Sequence, residues 1–437
     1  MVRKPAAIIT SDVTDLDHEG RGVAHHEGKT AFITDALPGE RVEWMPFKRQ
    51  RNFDEGRLRA VLSPSADRVE PRCVHFGVCG GCVLQHLAPE SQLAFKQAQL
   101  MQALERIGRV QPGTVLEPLT ADRWTYRRRA RLAARWVPAK RKTVIGFRER
   151  ASSFIADLQR CEVLQPPFDA MLQPLSDLVS ALSVRDRVPQ IELAAGDSGA
   201  AMIIRILNAL IPADELLIRQ FAERHAITVL LQPAGYDSIA YFAGPQTPLT
   251  YALPEFDVSF EFQPSDFVQV NASLNRAMIS RAIELLAPSS DERVLDLFCG
   301  LGNFSLPLAR RSAHVTGVEG DAGLIARARS NAERQGFANV TFIAANLADQ
   351  PEQAPWAMQA YDKVLLDPPR TGAREVLPLI ARSGAKRVVY ISCHPGSLAR
   401  DAGILVREHS YVLKAAGVMD MFPHTAHVES VAVFERR

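Results

Sequence analysis

The pattern of apolar and polar positions changes twice along the chain. Between residues 7 and 66, short runs rich in β-branched and aromatic residues, such as Lys29–Thr34 and Arg41–Met45, are separated by turns that contain glycine, as at Pro38-Gly39. Several short strands at close spacing predict a small β-barrel. A helical periodicity follows over Glu90–Gly108, with leucines on one face and a glycine at the end.

From about residue 265 the pattern becomes an alternation of strands and helices. Helical stretches such as Ala322–Gln335 separate short apolar runs, and this alternation predicts a parallel, doubly wound α/β sheet. The pattern over residues of about 120 to 255 predicts mixed strands and helices, and therefore a central α+β domain. We therefore divide the chain into domains 1–68, 69–262 and 263–437. The predicted strands of the last domain are Arg293–Phe298, His314–Glu319, Val340–Ile343, Lys363–Asp367 and Arg387–Ser392.

Length and composition agree with a folded protein of several domains. The chain has 437 residues, 47% hydrophobic and 23% charged, and domains average roughly 150 residues. The chain has no run of about 18 apolar residues, so no membrane-spanning helix is predicted. The first residues lack the apolar run of a secretory signal. We expect a cytoplasmic monomer with no membrane partner. In such a compartment the six cysteines point to metal binding or catalysis more than to disulfides.

Positive charge is concentrated in one segment. Arg123–Arg150 contains eleven Lys or Arg residues and one acid, Glu149. A local excess of this kind suits the phosphate backbone of a nucleic acid, although a solvated charged face is the alternative. The predicted barrel is also basic at Lys48, Arg49, Arg51, Arg57 and Arg59.

The end of the first strand of the doubly wound sheet carries a glycine-containing loop. Gly300 and Gly302 allow the backbone to approach a ligand closely, and Glu319 ends the next strand, 19 residues after Gly300. An acid at that position can accept hydrogen bonds from ribose hydroxyls, in a crevice where the strand order reverses. The loop lacks the third glycine of the dinucleotide pattern, which favours S-adenosylmethionine over NAD. Asn346 follows the third strand, where it either meets an adenine ring or forms a turn.

A cysteine ends the fifth predicted strand. Cys393 therefore faces the crevice, unless it is a buried, inert thiol. A thiolate that adds to C6 of a uracil makes C5 nucleophilic, so a thiol here is consistent with methylation of a pyrimidine at C5, on uracil or on cytosine. Glu429, at the start of a late strand, is the candidate base for removing the C5 proton. Arg370, which follows the pair Pro368-Pro369, disfavours an amino-group target.

A second group of cysteines lies earlier in the chain. Cys73, Cys79 and Cys82 are close in sequence, and Cys161 is distant. Four thiolates suit either zinc or an iron–sulfur cluster, and the spacing alone does not choose between the two.

Four motifs together resemble those of the RNA 5-methyluridine methyltransferases. They are Asp296–Phe304, Asp367–Gly372, Ser392–Asp401 and Asp420–Glu429. The resemblance extends over nearly the whole chain and includes an N-terminal barrel similar to the TRAM domain, an RNA-binding module with an OB-like fold. It implies a Rossmann-like, doubly wound methyltransferase domain and a substrate uridine in 23S ribosomal RNA. It also implies that the helical region 90–120 can pack on the catalytic domain.

The same resemblance assigns roles to residues. Cys393 would be the nucleophile, forming a covalent bond to C6, and Glu429 the base. The residues implied to contact S-adenosylmethionine are Gln269, Phe298, Asn303, Glu319, Asn346 and Asp367, and those implied to hold a [4Fe-4S] cluster are Cys73, Cys79, Cys82 and Cys161. Two other hypotheses stay open at this point, which are a non-catalytic RNA-binding factor and a redox role for the cluster.

Overall fold

The computed structural model describes residues 8–150, 152–349 and 354–437. Residues 1–7 of the predicted barrel range lie outside the described residues. The chain forms two compact units. The first comprises Met1–Gln99, Phe147–Ala156 and Phe422–His427, and the second comprises Leu100–Gly146, Asp157–Met421 and Val428–Arg437. The predicted three-domain division stays a prediction. Among the described helices, none combines the length and the apolar character that spanning a membrane requires.

The first unit begins with a closed five-stranded barrel. Its strands are β1 (Ile9–Leu16), β2 (Gly22–His26), β3 (Lys29–Thr34), β4 (Arg41–Arg49) and β5 (Phe53–Ser63). They pair in the order β1-β2-β3-β5-β4. The small barrel predicted from the sequence is therefore confirmed, and its closure leaves no unpaired strand edge.

One tryptophan fills the barrel interior. Trp44 on β4 is fully buried among Ile33, Val42 and other apolar side chains, and its Nε1 donates a hydrogen bond to Ser11 Oγ at 3.0 Å. Gly56 on β5 lies against the indole, because a Cβ at this position would stand 2.2 Å from Trp44 Cε3. The large indole fits this small core because its N–H has a hydrogen-bond partner and because Gly56 leaves space for the ring.

After the barrel, a helix and a short strand lead to the next sheet. Helix α1 spans Pro89–Ala103 and continues as a π-helical turn over Leu104–Gly108, and β6 (Thr114–Val115) follows. The structure thus has helix over the range predicted. Leu100 and Leu104 are fully buried in the core of the second unit.

The middle of the chain forms a mixed sheet with two helices. The elements are β7 (Arg129–Val137), β8 (Lys142–Gly146), α2 (Leu172–Ala181), β9 (Gln190–Ala195), β10 (Ala200–Arg205), α3 (Pro212–Arg224), β11 (Thr228–Gln232) and β12 (Ala240–Ala243). The strand order is β12-β11-β10-β9-β7-β8. A separate hairpin, β13 (Leu249–Leu253) and β14 (Val258–Phe262), follows.

The remaining elements build an eight-stranded sheet. They are α4 (Ala272–Leu286), β15 (Arg293–Leu297), α5 (Ser305–Ala309), β16 (His314–Glu319), α6 (Ala322–Arg334), β17 (Val340–Ala344), β18 (Lys363–Leu366), α7 (Leu377–Arg382), β19 (Arg387–Ser392), α8 (Pro395–Glu408), β20 (Tyr411–Met419) and β21 (Glu429–Arg436). The order is β17-β16-β15-β18-β19-β21-β20-β6.

The strand order of this sheet reverses at β15. β16 and β18 lie on opposite sides of β15, and both run parallel to it. The predicted doubly wound topology is confirmed, because this reversal opens a crevice at the carboxyl ends of the strands. On the far side, β21 lies antiparallel between β19 and β20, and β6 adds a parallel edge to β20.

We predict that Gly56→Ala destabilises the barrel. The added methyl group has no space beside the Trp44 ring, and overpacking of this kind lowers the free energy of unfolding by about 1–3 kcal/mol. Thermal and urea unfolding, followed by tryptophan fluorescence, would measure the effect. Gly235→Ala is the matched control, since nothing lies within 4 Å of a Cβ there. Equal stability of the two variants would contradict the close packing of Gly56.

Candidate active site

Three predicted site residues, and one residue that was not predicted, lie where neighbouring strands end. Glu319 is the last residue of β16, and Asp367 and Cys393 follow directly after β18 and β19. Asp296 is the penultimate residue of the central strand β15. The carboxyl ends of parallel strands meet at one edge of the sheet, so the crevice receives all four side chains.

The loop after β15 has an unusual backbone. Phe298, Gly300 and Gly302 all have positive φ angles, of 62°, 56° and 92°. The first is uncommon for a residue with a side chain. The tight path brings Gly300 N to 3.2 Å from Glu319 Oε2, while Asp321 N donates to Glu319 Oε1 at 3.1 Å. Backbone groups on both sides therefore fix the predicted ribose-binding carboxylate.

Asn303 is held by a network of polar side chains. Its Oδ1 accepts hydrogen bonds from Tyr251 Oη at 2.8 Å and Asn275 Nδ2 at 3.2 Å, and its Nδ2 donates to Asn275 Oδ1 at 2.9 Å. The Arg128 guanidinium lies 5.4 Å from the centroid of the Tyr251 ring. The side chain predicted to contact the cofactor is thus oriented by hairpin β13–β14 and helix α4.

Buried carboxyl groups dominate the electrostatics of the crevice. Burial raises the pKa of Asp296 to about 7, and the nearby charges of Asp367 and Glu319 add to the rise. Asp296 Oδ2 accepts from Ser305 Oγ at 2.5 Å, but its Oδ1 has no hydrogen-bond partner in the described residues. Burial also raises the pKa of Asp367 to about 7. A cationic ligand would relieve the repulsion between these groups.

The strand register brings the predicted nucleophile and base together. Ser392 pairs with Ser430 across β19 and β21, so one further step along the antiparallel ladder sets Cys393 opposite Glu429. The pKa of Cys393 is raised to about 11, first by burial and then by the charges of Glu429 and Asp367, while Arg370 acts in the opposite direction. Glu429 is buried, whereas Cys393 is partly exposed. At neutral pH the thiol is therefore protonated.

The other predicted cofactor residues differ in their settings. Gln269 Nε2 lies 3.5 Å from Asp367 Oδ2, which brings Gln269 to the same crevice. Asn346 is exposed after β17, where it accepts from Ala348 N at 3.1 Å and donates to Asp349 at 2.8 Å. These two local contacts form a turn. A turn was the alternative interpretation of Asn346.

The predicted cluster cysteines divide between the two units. Cys73, Cys79 and Cys82 belong to the first unit and Cys161 to the second. Within residues 8–150, 152–349 and 354–437, no group of three or more His, Cys, Asp or Glu side chains is arranged to hold a metal ion. The first unit does contain buried ring nitrogens without hydrogen-bond partners, His75 Nε2 and both nitrogens of His86. These nitrogens lie close in sequence to the three cysteines.

The basic segment is less available to an external anion than its composition predicts. Arg128 is buried and lies 3.7 Å from Asp197, and Arg129 and Arg131 both pair with Glu192. Other members are exposed, including Arg135 and Arg141. Part of the predicted phosphate-binding segment is therefore structural.

Sequence reasoning missed the residues that support the site. Asp401 on α8 is fully buried and accepts hydrogen bonds from Ala373 N and Tyr390 Oη, both at 2.8 Å. This carboxylate ties the loop after Asp367 to strand β19. Tyr251 and Asn275 were also missed. No local signal marks them, because their partners lie 52 and 28 residues away.

Comparison with known proteins agrees with this architecture. The model of the tRNA (Uracil-5-)-methyltransferase family matches residues 250–437 and that of the TRAM domain residues 7–43. A Stenotrophomonas maltophilia protein named 23S rRNA (uracil(1939)-C(5))-methyltransferase RlmD is 51% identical over 98% of this chain and 97% of its own length. A protein of the same name from Xanthomonas axonopodis is 52% identical over 97% and 96%.

A solved structure shares the fold. The Pyrococcus abyssi tRNA (uracil-54, C5)-methyltransferase, solved in complex with S-adenosyl-L-homocysteine, superposes with a TM-score of 0.76 at 24% identity, covering 98% of this chain and 100% of that one. With the family model and the relatives, the doubly wound sheet and its crevice identify an S-adenosylmethionine-dependent methyltransferase. Within that class, the chain belongs to the RNA uracil-C5 methyltransferase family, as its RlmD relatives show.

We predict that Glu429→Gln makes Cys393 more reactive towards iodoacetamide. Removing the neighbouring charge lowers the pKa of the thiol, and alkylation follows the thiolate fraction. At pH 8 the rate should rise roughly threefold to tenfold, since one unit of pKa changes that fraction about tenfold. Peptide mass spectrometry would resolve the site. Glu408→Gln, at the exposed end of α8, should leave the rate unchanged, and an unchanged rate in Glu429→Gln would contradict the proximity.

Proposed function

We propose that this enzyme transfers a methyl group from S-adenosylmethionine to C5 of uracil 1939 in 23S ribosomal RNA, through a covalent bond between Cys393 and C6. The observation that carries the proposal is the register of β19 and β21, which sets Cys393 opposite Glu429. The choice of nucleotide rests on the relatives, whose printed names specify uracil 1939. The RNA partner is also consistent with the TRAM match.

The residues of the crevice suit the cofactor. Glu319 is held in place to accept from ribose hydroxyls, and Gln269 and Asp367 lie together at the end of β18. Phe298 and Asn303 belong to the same loop, and Asn346 would reach the adenine from the exposed turn after β17. When bound, S-adenosylmethionine supplies a methyl group on a sulfonium cation. The positive charge of the cation offsets the negative charge of the carboxylates.

Cys393 begins the reaction. After its proton has passed to solvent, the sulfur of the partly exposed Cys393 forms a bond to C6 of the uracil, and the electron pair of the C5–C6 double bond moves into an enolate. The enolate makes C5 nucleophilic, so that C5 would bond to the methyl carbon while the bond from that carbon to the sulfonium sulfur breaks, which would leave the donor as a neutral thioether. Arg370 favours the charged thiolate, since its positive charge lowers the pKa of Cys393.

Glu429 completes the reaction. Its carboxylate removes the proton from C5, the electron pair restores the C5–C6 double bond, and the bond from C6 to the Cys393 sulfur breaks. The thiol then regains a proton and the product is 5-methyluridine. A buried carboxylate beside the sulfur is suited to this step because C5 is bonded to C6, the carbon that carries the sulfur.

Cys393→Ala is expected to abolish methyl transfer while binding of S-adenosylmethionine is retained. Labelled methyl transfer to 23S ribosomal RNA that lacks the modification would measure activity, and nucleoside mass spectrometry would identify 5-methyluridine. Full activity of this variant would overturn the nucleophile assignment. A 5-methylcytidine product would overturn the substrate assignment.

Glu429→Gln should retain the covalent protein–RNA adduct, because elimination requires removal of the C5 proton. The adduct would be seen as a slow band on a denaturing gel, and Glu408→Gln, the control, should show none. Normal turnover without an adduct in Glu429→Gln would assign the base to another residue.

We also propose that Cys73, Cys79, Cys82 and Cys161 hold a [4Fe-4S] cluster. Two features of the first unit support it. Gly81 N donates to Cys79 Sγ at 3.4 Å, and N–H groups directed at sulfur are typical around such clusters. The partnerless ring nitrogens of His75 and His86 also indicate a group that the protein alone does not supply. The chain's own contribution is the thiolates and the N–H donor, and no step of the methyl transfer depends on the cluster.

Anaerobically purified protein is expected to contain about four iron atoms and four acid-labile sulfides per chain. Cys79→Ser should lose most of both, whereas Cys299→Ser, which changes a buried cysteine of the catalytic sheet, should keep them. Zinc in place of iron, or full iron in Cys79→Ser, would contradict the assignment.

A further inference from the structure

A cavity of about 630 Å³ lies in the first unit, and none of its lining residues belongs to the active site. Its volume falls in the range of small-ligand sites. One side is formed by barrel residues, among them Arg21, Thr34 and Phe47. The other side is formed by the loop between Cys79 and Cys82 and by residues 147–150. Nothing in the proposed reaction uses this cavity.

Two aromatic side chains line it. Phe47, near the end of β4, is 46% exposed. Leaving an apolar ring in contact with water forgoes the free energy that its burial would contribute. The Arg57 guanidinium lies 5.5 Å from the centroid of its ring. Phe147 is on the opposite side, within 3.3 Å of a Cβ built on Gly81, so any larger residue there would crowd the ring. Exposed rings on nucleic-acid-binding modules commonly stack on bases.

The protein already pairs two of the three cations of the lining with acids, and the third, Arg148, donates to the Ser153 carbonyl at 2.7 Å. Arg21 lies 2.7 Å from Asp17 and 3.2 Å from Glu19. Arg150 pairs with Asp35 and donates to the Cys79 carbonyl at 3.3 Å. Little positive charge is therefore left for a phosphate.

Carboxylates outnumber the cations around the cavity. The acidic lining residues are Glu19, Asp35, Glu55 and Glu149, against Arg21, Arg148 and Arg150. A phosphate would meet like charge here, whereas a neutral planar ring with N–H donors would find acceptors. Carboxylates accept hydrogen bonds from the exocyclic amino groups of bases, and single-stranded RNA is read by stacking combined with such contacts.

We propose that this cavity binds one unpaired, amino-bearing base of the RNA substrate, at a position other than the uridine to be methylated. The base stacks on Phe47 and donates its amino group to a lining carboxylate. The inference rests on the proposed function for its RNA substrate, and it concerns recognition of that RNA. A base with an amino group, such as adenine, is favoured over uracil, which has none.

The test compares Phe47→Ala with Leu62→Ala, which changes a side chain 53% exposed near the end of β5 and outside the lining. Both positions are exposed, so both variants should fold, as thermal unfolding would verify. The probe is an unmodified fragment of 23S ribosomal RNA that contains the target uridine. We expect Phe47→Ala to bind the fragment about 5- to 100-fold more weakly, in line with the loss of one stacked base. Leu62→Ala should bind it as tightly as the wild type does.

Two further measurements identify the ligand as a base. The slope of log Kd against log salt should be the same in Phe47→Ala and wild type, because a lost phosphate contact would lower it. Oligo(A) should compete with the fragment better than oligo(U) of equal length, and this preference should disappear in Phe47→Ala. Unchanged affinity in Phe47→Ala, a reduced salt slope or equal competition by the two oligomers would each overturn the proposal.

The outcome is separable from that of the proposed function. If the wild-type protein binds the fragment but transfers no methyl group to it, the proposed function fails while the cavity test still applies. If wild type methylates the fragment, Phe47→Ala should raise the KM for RNA and leave kcat at saturating RNA unchanged. An unchanged KM would reject the base site and leave the methyltransferase proposal intact.

Discussion

The structure depends on the reversal of strand order at β15 in the parallel sheet. That reversal opens the crevice and directs Asp296, Glu319 and Asp367 into it from adjacent strands. Burial raises the pKa of both Asp296 and Asp367, and repulsion from Asp367 and Glu319 contributes to the rise at Asp296. A site with this charge is unfavourable when empty and favourable around a cation. The same topology therefore fixes both where the ligand lies and what charge it carries.

The proposed reaction requires two opposing properties from one thiol. Burial and the charges of Glu429 and Asp367 keep Cys393 protonated, which protects it from adventitious oxidation, because thiolates are the reactive form. Attack on a pyrimidine requires that same proton to leave. The positive charges that favour ionisation are Arg370 and, on this account, the sulfonium of the cofactor. Reactivity would then be coupled to occupancy of the site.

Periodicity and motif position predicted much of the fold. The strands of the catalytic sheet lie within a residue or so of the predicted runs, since buried parallel strands are short, apolar and bounded by turns. The closed barrel was predicted for similar reasons. The support of Asn303 by Tyr251 and Asn275 was not, because it depends on how distant segments pack. The basic segment Arg123–Arg150 also shows the limit of composition, since charge counts do not reveal that Arg128 is buried.

The position of β21 has a consequence for how the enzyme matures. This strand follows β20 in the chain but lies between β19 and β20, so β20 and β6 join the rest of the sheet only through β21. The same strand delivers Glu429 to Cys393. On the proposed mechanism, a chain in which β21 is not in place has a nucleophilic thiol without its base, so this strand links completion of the sheet to activity.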